Sequence, residues 1–299
     1  MDVWIRNLLL GSSLLTLTQF AHALELRYSN GDFQMGAAVK PLVNMDVALD
    51  VDTWTLAEPH KTFGNSRFYY QFRADYFDSD SVNRMTDLAS LPLTTNLPVI
   101  SSSVSDLIAD NTPLPVPADY RIHGVNVDAG IGYDVIKQAK GHVGIGLNTG
   151  VSTPYMKVRN MQSSANLFLN LLDTFDTEVV TYKAGISLQG SYQVTPWLEI
   201  GANASLNHQT GEMDNGWVGS GVDMDGSYRT LDIGVKLKPA PLLQQAHLKK
   251  AFVSVGYSRS RWDYDNAQIN TPMGSVQVPG MFDADFEHDM TYVGLGYDF

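Results

Sequence analysis

The chain has 299 residues, a formal net charge of -12 and no cysteine. So acidic a chain is a poor partner for nucleic acid, whose phosphates need clustered Lys and Arg; without Cys it has neither a disulfide framework nor a thiolate metal site. No window beyond the N-terminal segment offers ~20 uninterrupted apolar residues, so this chain spans a membrane only as a closed barrel, the one other form that satisfies every backbone group in lipid.

In chain order, residues 1–23 read as a secretory signal peptide. Arg6 supplies the positive end, residues 8–17 the apolar stretch, and Ala21-His22-Ala23 a small-x-small cleavage site. The mature protein is expected to be one domain over 24–299. Period-two alternation then predicts strands near 24–34, 44–55, 66–77, 119–136, 142–157, 178–194, 197–211, 228–238, 251–265 and 283–299. The clearest is 178–194. Val180, Tyr182, Ala184, Ile186 and Leu188 share one face, and Thr181, Lys183, Ser187 and Gln189 the other; a helix would space its apolar residues by three and four. Ten strands are the expectation, with eight or twelve as alternatives because Lys40-Pro41 interrupts the N-terminal region.

The connections 137–141 and 195–196 are tight, whereas 78–118, 158–177, 212–227 and 266–282 are long. Residues 239–250 break this rhythm. Within 164–175, Leu167, Leu171 and Phe175 recur at four-residue spacing, which predicts a short helix in one of the long loops. Glycines inside the strands are expected to make room for side chains that fill a narrow lumen.

The chain closes on Tyr292-Val-Gly-Leu-Gly-Tyr-Asp-Phe299. Val293, Leu295, Tyr297 and Phe299 form an apolar face, and Tyr292, Gly294, Gly296 and Asp298 the opposite one. Tyr292, Gly294, Tyr297 and Phe299 resemble, in position, spacing and type, the C-terminal assembly signal of Gram-negative outer-membrane β-barrels. With the leader and the alternating strands, the pattern resembles small porin-like and solitary autotransporter-like barrels. That resemblance implies an antiparallel transmembrane barrel in the outer membrane, short periplasmic turns and longer extracellular loops. It also implies dependence on the barrel-assembly machinery and periplasmic chaperones during biogenesis.

Candidate chemistry is sparse. Asn207-His208-Gln209-Thr210-Gly211 resembles the His-x-Ser-x-Gly element of outer-membrane phospholipases, but Thr210 stands where the nucleophilic Ser belongs. Asp285, Glu287, His288 and Asp289 resemble one half of an omptin-type protease site without a second acidic pair. Asp223 and Asp225, with Glu212 and Asp214, offer carboxylates but lack the later acidic ligand of a calcium loop. No catalytic residue, metal or cofactor is therefore expected.

Parity points Asp46, Asp50, Asp52, Arg73, Asp75, Asp128, Lys183, Glu199, Asp232 and Lys236 into the lumen. Mixed signs there predict a plugged, salt-bridged interior, with a slim cation-favouring channel as the alternative. Parity points Arg121, Lys157, Arg229, Arg259 and Arg261 outward near the extracellular rim, where lipopolysaccharide phosphates suit cationic side chains. The functional expectation is a non-enzymatic barrel, either a narrow small-solute conduit or a surface structural or interaction protein. The alternative is an outer-membrane lipid hydrolase using His208.

Overall fold

The computed structural model describes residues 23–39, 43–86, 116–160, 176–215, 222–243, 250–271, 274–277 and 282–298. The expected leader, the expected helix within 164–175 and Phe299 lie outside them. Twelve strands form one antiparallel sheet: β1 (Ala23–Val39), β2 (Val43–Thr62), β3 (Phe68–Ser79), β4 (Val82–Thr86), β5 (Val116–Gln138), β6 (Gly141–Arg159), β7 (Thr177–Thr195), β8 (Leu198–Asn215), β9 (Val222–Leu237), β10 (Ala251–Thr271), β11 (Gly274–Gln277) and β12 (Phe282–Asp298). β4 continues the line of β3 along β5, and β11 folds back on the end of β10. The other ten run round a barrel that closes where β1 pairs with β12, from Ala23↔Asp298 to Val39↔Phe282. Closure leaves no long unpaired edge.

Ala23 and Asp298, the first and last described residues, pair at one end of the barrel, here the terminal rim. Residues 139–140 and 196–197 form its tight turns, and 63–67 a longer one in which Gly64 takes the left-handed conformation (φ 59°). The connection 238–250 also lies there and carries a short helix, α1 (Ala240–Leu243). At the far rim the strands run into the expected loops. β8 extends to Asn215 and β9 begins at Val222, so much of 212–227 is ladder.

The strands are long. β5 has 23 residues and β6 has 19, about twice the ~9–11 residues a tilted strand needs to cross the hydrocarbon. Two surfaces result. On the terminal half the outward face is apolar: Leu147 is 65% exposed, Ile186 60% and Leu295 67%. The row Tyr28, Trp54 and Tyr76, in register across β1, β2 and β3, marks the upper edge of this belt. Beyond the row the outward face is polar, with Asp50, Asp52, Arg121, Glu212, Asp225 and Arg229 exposed. The interior inverts in step. The far half encloses an apolar core that includes Phe33, Leu49, Val51, Tyr120, Tyr228 and Trp262.

Three ladder irregularities fall near the terminal rim. In β2 the register slips between Glu58 and Lys61, so Pro59 and His60 together face Gln71. Proline has no N–H for the ladder and settles at bulges. In β5 Val135 is the extra residue, between Asp134↔Gly144 and Ile136↔Val143. A bulge bends its strand and re-aims the neighbouring side chains.

Candidate functional site

At the height of the apolar belt the lumen is crossed by ion pairs. Arg27 donates from Nη1 to Asp232 Oδ2 at 2.7 Å and from Nε to Glu25 Oε1 at 2.8 Å. Arg73 donates from Nε to Asp75 Oδ1 at 2.9 Å and from Nη1 to Asp232 Oδ2 at 3.3 Å and Ser258 Oγ at 3.0 Å. Lys183 Nζ lies 2.9 Å from Asp128 Oδ1 and 3.8 Å from the centroid of the Tyr228 ring, and it also donates to Asn126. Asn126 joins the pairs by donating to Asp75 Oδ2 at 3.0 Å and Asp128 Oδ2 at 2.9 Å. Tyr292 donates to Asp232 Oδ1 at 3.1 Å. Strands β1, β3, β5, β7, β9, β10 and β12 thus contribute to one network. Glu25, Asp75, Asp128 and Asp232 are paired with Arg27, Arg73 and Lys183, which lets the group sit in a narrow interior.

Small residues make the space for this filling. A Cβ on Gly294 would come within 2.3 Å of Ser254 Oγ and 2.9 Å of Glu25 Oε1. One on Gly132 would come within 2.2 Å of the Tyr69 ring.

Above the network the far-half core closes the lumen again. Phe33 and Phe77 stack at 5.8 Å, Tyr228 and Trp262 pack at 5.0 Å, and Trp262 Nε1 donates to Ser152 Oγ at 3.3 Å. Aromatic pairs at such separations add to the stabilisation from burial.

One lumen assignment is corrected here. Asp50 and Asp52 are exposed on the outer face, where Asp52 Oδ1 accepts from Tyr28 at 2.7 Å and Asn30 at 3.0 Å. In this part of β2 the inward face is Val47, Leu49 and Val51. The strand is above the belt, so its polar face meets water outside and its apolar face packs inside. The Asp46 side chain lies outside the described residues.

At the terminal rim the lumen opens into a cavity of about 390 Å³. Its wall includes His60, Asp134, His142, Glu199, Lys236 and Lys238. Lys238 donates to Glu199 Oε2 at 2.9 Å, and Lys236 Nζ lies 4.8 Å from the centre of the Phe252 ring. His60 Nε2 lies 3.0 Å from Asp134 Oδ1, and the His60 and His142 rings stack at 3.7 Å with 16° between their planes. His60 also packs on Tyr69 at 4.7 Å. Sequence reasoning singled out neither Asp134 nor the two histidines. The signal was Pro59, a bulge residue inside a strand pattern.

The outer-face candidates fall as follows. Arg121 makes a two-pronged bond to Asp78, at 3.1 and 2.8 Å. Lys157 lies over the Tyr155 ring at 5.3 Å. Arg259 donates to Glu287 at 2.5 Å, Arg261 to Asp263 at 2.6 Å, and Arg229 lies 3.7 Å from Asp263. Arg121 is directly opposite Lys157 in the ladder, and Arg229 is directly opposite Arg261.

His208 is exposed on the outer face, across the ladder from Ser227 rather than near Thr210 alone. Ser227 Oγ donates to Asp263 Oδ2 at 3.5 Å. The order is imidazole, hydroxyl, carboxylate. A nucleophilic triad needs the imidazole in the middle. His288 is buried between Phe33 and Phe77, with Nε2 3.4 Å from Thr53 Oγ1. Glu287 and Asp289 leave on the other face to meet Arg259, so no His–carboxylate pair forms from this segment.

No protein-family model matches the sequence, and no curated protein matches it. Among solved structures, the outer membrane protease OmpT from Escherichia coli is similar over 93% of this chain and 97% of its own, with 11% identity and a TM-score of 0.55. The translocator domain of the autotransporter NalP from Neisseria meningitidis is aligned over 99% and 96%, with 12% identity and a TM-score of 0.35. A Pseudomonas aeruginosa FadL homologue is aligned over 93% and 90%, with 10% identity and a TM-score of 0.33. The likeness to OmpT is one of fold: a closed antiparallel barrel of the outer-membrane kind.

Proposed function

We propose that this protein is a non-enzymatic barrel of the bacterial outer membrane, sealed to solutes, that presents a rigid surface for structure or interaction outside the cell. In this reading the terminal rim faces the periplasm and the polar far half stands above the lipid. The observation that carries it is the filled lumen. An ion-pair network crosses it, and an apolar core sits above that network. Side chains fill the interior of small barrels in this way, whereas a conduit keeps a continuous water path.

The outward cations fit an anchoring role at the lipopolysaccharide level. They stand on the far-rim side of the Tyr28, Trp54 and Tyr76 row. Like charges directly opposite each other destabilise a ladder unless an anion lies between them. Arg121 faces Lys157, and Arg229 faces Arg261. Lipopolysaccharide phosphates would add to the carboxylates that already meet these arginines.

Planar-bilayer recording of the purified barrel tests the reading. The expected result is no discrete conductance steps from the full chain. Discrete steps from the unaltered protein would replace the sealed barrel with a conduit. The lipid-hydrolase reading rests on the facing of His208 and Ser227. It is tested in the same preparation by phospholipid hydrolysis, which is expected to be absent; activity lost on His208→Ala would establish it.

A further inference from the structure

We infer that His60, Asp134 and His142 form a binding site for a divalent transition metal of the zinc class, set in the cavity at the terminal rim. This goes beyond the sealed-barrel reading and does not depend on it. Each residue offers one ligand atom, and the three atoms lie within 4.8 Å of one another. Two imidazoles and one carboxylate are a donor set that Zn²⁺ accepts, and three protein ligands plus a water complete its coordination. In tetrahedral coordination, with ~2.0–2.1 Å bonds, ligand atoms sit about 3.3 Å apart. Closing the set around one ion draws these atoms together by about an ångström and tilts the stacked His60 and His142 rings apart, because each imidazole binds through a lone pair in its own ring plane.

Several independent features favour a metal over a simple polar cluster. The ligands come from β2, β5 and β6, and two of the three sit at ladder irregularities that aim them inward. The bulge at Asp134 is pinned by its own amide, which donates to the Arg67 carbonyl at 2.8 Å. The Asp134 side chain is fully buried, and its Oδ2 has no hydrogen-bond partner among the described residues. Leaving such an oxygen buried and unmatched is costly; a cation would satisfy it. His142 Nδ1 lies 3.3 Å from Ser191 Oγ, which leaves Nε2 as its free ligand atom. Second partners of this kind orient metal-bound imidazoles. Glycine at position 144 permits the approach, since a Cβ there would come 3.0 Å from Asp134 Oδ1 and 2.6 Å from the Tyr69 ring. The cavity gives an entry path from the rim.

The test is calorimetric titration of Zn²⁺ into the tag-free, full-length barrel in detergent after chelator treatment. One saturable site per chain is expected, together with a rise in the thermal midpoint on adding Zn²⁺. His60→Gln, His142→Gln and Asp134→Asn are each expected to weaken binding at least tenfold and to abolish the thermal rise. His208→Gln, on the outer face, is expected to change neither. No saturable binding by the unaltered protein would overturn the inference, as would equal affinity in the three variants. If the variants do not fold, X-ray absorption at the zinc edge of the loaded unaltered barrel decides. Scattering from two imidazoles supports the site, and its absence refutes it.

Discussion

The two halves of this barrel use the same strand pattern with opposite meanings. On the terminal half the outward residues are apolar and the inward ones charged, as around Lys183, which is buried between Tyr182 and Ala184 with both neighbours exposed. On the far half the outward residues are charged and the inward ones apolar, as at Val51 between Asp50 and Asp52. The backbone does not change at the border. The solvent outside it does. Lipid admits apolar side chains and leaves the polar ones to pair inside, whereas water takes the polar ones and leaves the apolar ones to form a core.

That contrast predicts that the same kind of substitution has different effects in the two halves. The largest losses are expected inside each half. Lys183→Met removes a fully buried cation and leaves the partly buried Asp128 without its ion-pair partner, and is expected to cost about 3 kcal/mol. Trp262→Ala empties part of the far core and is expected to cost about 3–5 kcal/mol. Urea unfolding followed by heat-modifiability measures both. A loss for Lys183→Met no larger than for a surface cation would break the claim of a paired lumen.

Outward substitutions come next. Ile186→Arg places a cation on the lipid-facing belt and is expected to cost about 2–4 kcal/mol in bilayers, whereas Thr210→Arg on the far half is expected to fall near ~0–1 kcal/mol. Equal costs would erase the border. Replacing Arg121, Arg229 and Arg259 together by Gln is expected to lower the thermal midpoint in lipopolysaccharide-containing bilayers and to leave it nearly unchanged in plain phospholipid. Equal losses in both would assign these residues to the fold alone.

The smallest effect concerns the stem of the connection after β6. Asp176 accepts from Arg159 at 2.6 Å and from Tyr155. The Arg159 bond, against partial burial and helped by Tyr155, holds its carboxyl below the usual range. Its contribution is therefore present above the ordinary carboxylate pKa and is lost as pH falls through the lowered one. An exposed pair of this kind is worth about 0.2–1 kcal/mol. Asp176→Asn is expected to remove that much at pH 7 and nothing at pH 2.

How far the sequence alone reaches is clear from the same contrast. Alternation is a local property, so the ten strands and both faces of 178–194 were legible. Which face is inside is not local. The rule that polar means lumen holds beside lipid and reverses above it, and Asp50 was misplaced for that reason. Nothing within 44–55 marks the border; it emerges from Tyr28, Trp54 and Tyr76 coming into register across three strands. The ion pairs were legible only as a mixture of signs, because partners such as Arg27 and Asp232 are 205 residues apart. His60 escaped because the predicted second strand stopped at 55, short of the bulge. Pro59 sits within that bulge, where a residue without an N–H is tolerated.

Because the chain contains no cysteine, single labels placed along β8 read the border directly. Nitroxides at outward positions 200, 204, 206, 208, 210 and 212 and at inward positions 207 and 209 are compared for access to oxygen and to a water-soluble nickel complex in bilayers. The account predicts oxygen access from Ile200 to Leu206, nickel access from His208 to Glu212, and protection from both at the inward positions. Water access at the inward positions, or one uniform environment along the outward series, would contradict it.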